Sequence, residues 1–468
     1  MAFAHEIYLA LAALVLFVFT LNEPTKGVPR KVALLLAAGA VISSICVFNG
    51  QAEMFSGSYR IDAFSQSFKV MIALGFFLVV AFGEGLNGIE RKNEADYFMF
   101  LTLSILGLTF LVSANELLTL YIALELSSYS LYILVPLRRI EFDSQVEAGI
   151  KYVLFGAAAS GITLFGMSYV FGLAHTTNID ELLKIYPQIA SSTMGLVGLS
   201  MMFAGFFFKL AVFPFHLWTP DIYQGAANET SGIIATLPKI GAVAILIRLV
   251  GMGETASSFT ALLSMLAIIS MFFGNLSALV QTDVKRLLAF SSIAHAGYML
   301  TGVLTNSINS HASVMYYVGG YLLMNLALFF VVYSIAPRGE NITVDDLKGL
   351  HKRSPILAFT LAVGAFGLAG IPPTAGFAGK FFILTSAYEQ GHKWLVILAA
   401  LNTAIAIFYY LKMVKAAYSA DPEEGIEVKS PVNNSITAKL LGAGFIASIL
   451  ALGAFPDAVI NIFRNALS

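Results

Sequence analysis

The chain is short of charge and almost without cysteine. Asp, Glu, Lys and Arg make up 12% of its 468 residues, about half the roughly 25% of a soluble domain. One cysteine, Cys46, excludes an internal disulfide, a zinc site and an iron–sulfur cluster built from this chain's own thiols. A formal net charge of −1 leaves no basic footprint for nucleic acid. There is no CxxC, no cluster of metal-ligand residues and no glycine fingerprint following a strand pattern. The segment GFAGKFF around Lys380 is not a phosphate loop, because the glycine required six positions before the lysine is Thr374. Redox and nucleotide chemistry are therefore not visible in these residues.

What is abundant is apolar surface. Hydrophobic residues make up 58% and the mean hydropathy is +0.80, so lipid is the solvent for most of the chain. Runs able to cross ~30 Å of hydrocarbon recur throughout. They lie near 5–21, 32–48, 65–82, 96–113, 117–136, 152–172, 194–213, 229–250, 258–280, 287–304, 312–335, 355–389, 394–414 and 438–460. The first run has no preceding Lys or Arg and no small-residue cleavage site, and reads as a retained span. Of the 27 basic residues, 17 fall in odd-numbered connections and 5 in even connections or termini. By the positive-inside rule, this places the odd loops in the cytoplasm and both termini outside. The longest polar stretches, 336–354 and 415–437, are too short for a separate domain. The expected fold is an all-α polytopic membrane protein of about fourteen transmembrane helices.

Charges nevertheless sit inside these runs. Glu125, Lys209, Lys239 and Lys380 lie well within apolar stretches, and Lys69 and Lys412 lie near span ends. A charge at bilayer depth costs at least ~2.5–3.5 kcal/mol, so it marks a pathway or a pairing. Lys69 and Lys412 read as lysines that reach back to the interface. His295, in SSIAHAGYML, has an ordinary titration range suited to proton exchange. Two spans carry breaks: Pro214 and Pro220 follow Lys209, and Gly370, Pro372, Pro373 and Gly376 precede Lys380. Proline removes a backbone donor, and in lipid the freed carbonyls need a cavity or partner. Paired broken helices in two halves of a transporter point to its ion path.

The halves also share a register. Glu125 precedes Lys209 by 84 residues, and His295 precedes Lys380 by 85. The reading is two inverted five-helix repeats, each containing a broken helix. They occupy 96–250 and 258–418, between N-terminal helices in 1–95 and a C-terminal helix in 436–468. His216, Asp221 and Glu229 border the first break and either shape water access or cap helix ends. The small-residue run Gly156 to Ser160, with Gly161 and Gly166, reads as helix packing.

These residues resemble the antiporter-like subunits of respiratory complex I and related multi-subunit Na+/H+ antiporters. The marks are NELLTLYIALEL around Glu125, FKLAVFPFHLWTPDIYQGA around Lys209, TLPKIGA around Lys239, DVKRLLAFSSIAHAGYM around His295 and GIPPTAGFAGKF around Lys380. FHLWTPDIYQGA is most similar to the N-type subunits of NADH:quinone oxidoreductase, and a lysine at 380 argues against the M-type. The resemblance implies proton translocation with no cofactor in this chain. NAD, FMN, iron–sulfur clusters and quinone would sit in partner subunits, with M-type and K-type membrane-arm neighbours. It implies a bacterial-type inner membrane. By it, Glu125 and Lys209 form the ion pair of the first half-channel, Lys239 bridges to the second, His295 joins the hydrophilic axis, and Lys380 is the gate. The buried groups leave open a sodium/proton antiporter subunit and a scaffold with vestigial charges.

Overall fold

The structure, a computed structural model, describes residues 2–21, 27–83, 85–139, 144–251, 257–419, 432 and 435–467. The N-terminal helices are α1 (Ala4–Thr20), α2 (Val28–Cys46) and α3 (Ala63–Val80). A short antiparallel hairpin, β1 (Ala52–Met54) and β2 (Tyr59–Ile61), joins α2 to α3, so the fold is not wholly helical. Then come α4 (Glu94–Ser113), α5 (Leu117–Leu134), α6 (Ser144–Ala174), α7 (Ile179–Ser191), α8 (Thr193–Met202), α9 (Ala204–Leu210), α10 (Thr219–Gly225) and α11 (Asn228–Gly251). The second half holds α12 (Ser257–Leu279), α13 (Val284–Leu304), α14 (Ile308–Ile335), α15 (Leu350–Arg353), α16 (Pro355–Ala369), α17 (Ala375–Glu389) and α18 (Lys393–Tyr418). Helices α19 (Ile436–Ala454) and α20 (Pro456–Leu467) close the described chain. Among the described residues, twelve helical stretches are long and apolar enough to cross a membrane; the apolar helices α1 and α16 are shorter.

A helix that is apolar all round belongs inside. Helices α11, α13 and α14 are such helices and form the centre, while α1, α6, α12, α18 and α19 turn large apolar side chains outward. Both expected breaks are present. The apolar run 194–213 is α8 and α9, ending at Leu210 with Ala211 at φ +64° before Pro214. The run 355–389 is two helices: α16 ends at Ala369, Gly370 turns at φ +85°, and α17 restarts after Pro373.

Three details depart from the hydropathy reading. The last span, placed at 438–460, stops at Ala454, and Pro456 opens the amphipathic α20 with Ile460 and Phe463 inward. Helix α7 occupies the polar segment before α8, burying Ile179, Leu182, Tyr186 and Ile189. Lys69 does not reach water: it is fully buried and ion-paired to Glu6 on α1 at 2.5 Å. Its stem has an internal partner, so no snorkelling is needed. Lys412 is exposed near the end of α18, as expected.

The hairpin is tied to α7 by Arg60, whose Nη1 donates to Asp180 Oδ1 at 3.0 Å; Asn115 donates to Asp180 Oδ2 at 3.0 Å. Burial opposes the Asp180 charge, but the bonds from Asn115 and Arg60 outweigh it and hold the carboxyl below its usual range. A carboxylate with a lowered pKa contributes its stability above the ordinary carboxylate range and loses it as pH falls through the lowered value. The tie is therefore intact at neutral pH and weakens in acid.

Only part of the small-residue run of α6 packs: Gly156, Ala159 and Gly166 are buried, whereas Ala157, Ala158 and Gly161 are exposed. A Cβ on Gly166 would meet the backbone N of Met202 at 2.2 Å, whereas one on Gly161 meets nothing within 4 Å. Gly166→Ala should destabilise the protein by about 1–3 kcal/mol through overpacking against backbone. Gly161→Ala should not. Thermal loss of the folded protein in detergent compares the two, and equal midpoints would contradict this packing.

Candidate functional site: a row of buried ionisable groups

Helix α5 carries Glu125 one side chain away from α6. The carboxylate is buried and accepts a hydrogen bond from Ser160 Oγ, inside the small-residue run. Lys209, in the last turn of α9, is also buried. Its Nζ has no hydrogen-bond partner among the described residues and lies 5.5 Å from the Tyr132 ring, 5.6 Å from Tyr152 and 5.8 Å from Phe208. Ring faces attract a cation, more strongly when water is excluded. The direct Glu125–Lys209 ion pair expected from the resemblance is absent: no contact within 4.0 Å joins them. The reason is local. Ser160 takes the carboxylate oxygen, and the ammonium instead faces the rings of Tyr132 and Tyr152. Trp218, in the break, stacks on Tyr152 at 5.0 Å and donates Nε1–H to Phe208 O at 3.1 Å, closing the aromatic wall.

Lys239 comes from the centre of α11. Its Nζ donates to Leu210 O at 2.7 Å and approaches Ser292 O and Oγ at 3.3 Å. Leu210 is the residue after Lys209 and the last of α9, so Lys239 satisfies a carbonyl that the first break set free. Ser292 lies on α13, three residues before His295. The imidazole is held at both nitrogens, by Tyr317 OH at 2.5 Å (Nδ1) and Tyr410 OH at 3.0 Å (Nε2). Tyr410 OH also bonds Ser291.

Lys380, on α17, donates to Leu368 O at 2.8 Å and Ala369 O at 3.3 Å, the last carbonyls of α16. Its Nζ lies 4.6 Å from the Tyr298 ring, and Tyr298 sits beside His295 with ring centroids 6.2 Å apart. Each break is thus held by a lysine, but not by the pair that the register matched. Lys239 serves the first break and Lys380 the second, while Lys209 is left with rings alone.

The residues bordering the first break divide. Asp221 is ion-paired to Lys151 at 2.6 Å and Arg286 at 2.8 Å. Glu229 is buried and accepts from Gly88 N at 3.3 Å. His216 is buried against Phe273, with ring centroids 4.4 Å apart. Ser160, Ser291, Ser292, Tyr132, Tyr298, Tyr317 and Tyr410 were not singled out as site residues from sequence. Serine and tyrosine occur throughout membrane helices, and no spacing marks those that meet across helices.

A bundle with two broken helices, whose freed carbonyls are both held by buried lysines, is the architecture of an antiporter-like membrane subunit. The comparisons with known proteins agree. The family described as "NADH:quinone oxidoreductase/Mrp antiporter, TM" matches residues 114–406, a span containing Glu125, Lys209, Lys239, His295 and Lys380. The chain is 45% identical over 470 residues to a protein of Opitutus terrae named NADH-quinone oxidoreductase subunit N 2, covering 100% of this chain and 98% of the relative. A solved structure of respiratory complex I from Thermus thermophilus with bound aureothin contains a chain 29% identical, with a TM-score of 0.82 and 98% of each chain covered. An Mrp complex from a Dietzia species gives a TM-score of 0.86 at 18% identity over 99% of this chain and 96% of that one, a likeness of fold alone. This chain belongs to the NADH:quinone oxidoreductase/Mrp antiporter membrane family.

Gly370 lacks the Cβ that would stand 3.1 Å from Lys380 Cδ. Gly370→Ala should cost about 1–2 kcal/mol in left-handed backbone and also displace the Lys380 stem. The first break already tolerates an alanine at the corresponding turn, so the protein should still fold. Thermal loss of the folded variant in detergent should come earlier than in the unaltered protein, and an unchanged midpoint would contradict the strain at this turn.

Proposed function

We propose that this chain is the N-type membrane-arm subunit of an NADH:quinone oxidoreductase. On this reading it moves protons along Glu125, Lys209, Lys239, His295 and Lys380. The supporting observation is that all five side chains are buried in the bundle, and that two of them, Lys239 and Lys380, donate to the carbonyls at the ends of the broken helices. The five-helix units 96–250 and 258–418 serve as the two half-channels. The chain sits in a bacterial-type inner membrane with both termini outside, and M-type and K-type subunits are its neighbours. NAD, FMN, iron–sulfur clusters and quinone belong to partner subunits, which supply the driving energy, so the assembly is a translocase.

The physical basis is competition between desolvation and local partners. A buried ammonium is disfavoured by burial and restored by an acceptor or an opposite charge. A carbonyl at a helix break is such an acceptor, and its position depends on how the two half-helices sit. When Glu125 or a half-helix moves, the lysine's proton affinity changes and the proton passes to the next group through hydroxyls of Ser292, Tyr410 and Tyr317. A tenfold change in affinity is worth about 1.4 kcal/mol, and one charge moved against 100 mV costs about 2.3 kcal/mol. A roughly hundred-fold change per step is therefore enough.

The test is made in the assembled complex in membrane vesicles. Glu125→Gln and Lys209→Ala should each depress NADH-driven proton pumping together with the coupled quinone reduction. Lys209→Arg should not rescue, because arginine holds its proton too tightly. Wild-type pumping in both neutral variants would discard the scheme. Sodium-dependent proton flux without NADH would instead support the antiporter reading.

A further inference from the structure

A buried ion pair lies outside the row. Glu6, in the first turn of α1, and Lys69, two turns into α3, are both fully buried. One carboxylate oxygen, Oε1, receives Lys69 Nζ at 2.5 Å and Tyr59 OH at 2.8 Å. The other, Oε2, has no partner among the described residues. His5 is within electrostatic reach of both charges; its Nδ1 bonds Ser43 at 2.8 Å, and its Nε2 is unpartnered among the described residues. Asp62 and Arg248 are the further charged groups facing Lys69. They are paired at 2.9 Å, and Asp62 lines a cleft of about 490 Å³ at the hairpin face with Glu53 and Arg60.

A fixed clamp is poorly served by this arrangement. Replacing a buried ion pair with apolar side chains is often neutral or stabilising, and a clamp gains most when every polar atom is satisfied. Here both donors crowd one oxygen while the second oxygen and an imidazole nitrogen remain available. The place is also suited to exchange. The contacts Asp62–Arg248 and Gly75–Leu237 set α3 antiparallel to α11. The Lys69 backbone therefore stands, on the neighbouring helix, about level with Ala242, which is about one turn along α11 from Lys239, and its side chain ends on Glu6 beneath the hairpin.

We propose that Glu6 and Lys69 form a second proton-exchange site, opening on the hairpin face through Asp62 and Arg248. This rests on the proton-translocating reading above. Lys69 gives a proton to Glu6 Oε1, leaving a neutral amine and a neutral acid. The acid releases that proton to water at the cleft, and the amine is recharged by a proton arriving from the central row. Net, one proton crosses the site and no other bond changes.

The experiment compares three variants in the assembled complex: Glu6→Gln, Lys69→Met and the double variant, with Lys239→Ala alongside. Assembly is read by native electrophoresis, and protons pumped are measured per NADH oxidised. The double variant removes both charges together and should assemble even where a single one, leaving an uncompensated charge, does not. Its proton-to-electron ratio should fall toward that of Lys239→Ala. A wild-type ratio in the double variant, with Lys239→Ala impaired, overturns this proposal and leaves the row intact. Failure of the double variant to assemble assigns the pair to structure and also overturns it. Wild-type ratios in Lys239→Ala and the double variant alike would remove the underlying reading as well.

Discussion

A helix broken inside a membrane leaves carbonyl groups that water cannot reach. In hydrocarbon each such group costs several kcal/mol unless something pairs with it. The structure depends on how that debt is met at Leu210 and at Leu368 and Ala369. In both places a lysine ammonium donates to the carbonyls. The same contact solves two problems at once, since the lysine is itself costly to bury. At these two places one contact offsets both the cost of the unpaired carbonyls and the cost of the buried ammonium.

Lys209 shows the other solution. Its surroundings are ring faces rather than carbonyls, supplied by α5, α6 and α9 itself. A ring face holds a cation without a directional bond, so the ammonium is free to turn toward a new acceptor. Glu125 is meanwhile occupied by Ser160. The first half thus keeps its acid and base apart, near enough to respond to one another and each with a partner of a different kind. His295 is fixed at both nitrogens by tyrosines from α14 and α18, hydroxyl groups able to donate and accept, and the two halves meet where Lys239 of α11 reaches Ser292 of α13.

Much of this was legible before any coordinates. Pro214, Gly370, Pro372 and Pro373 marked the breaks, because each lies where the helical ladder is interrupted, whereas Pro220 sits in the first turn of α10. Charges at 125, 209, 239 and 380 marked the interior for the same energetic reason. The partners were not legible. Lys69 has the spacing of a lysine near a span end, and only the packing of α1 against its neighbours reveals Glu6 beside it. Ser160 looked like one more small residue in a packing stripe. Helices α7 and α20 lie in polar or proline-marked segments where a hydropathy window finds no span.

Sequence alone determined the solvent, the class of fold, the two breaks and the five ionisable groups. Each follows from a free energy of transfer that attaches to a residue type wherever it sits in an apolar run. Tertiary structure alone decided which lysine holds which break, that Glu125 meets Ser160 rather than Lys209, and that Lys69 ends on Glu6. Those outcomes depend on distances of a few ångströms between helices far apart in the chain, and hydrogen bonds and ion pairs form only where packing brings donor and acceptor together.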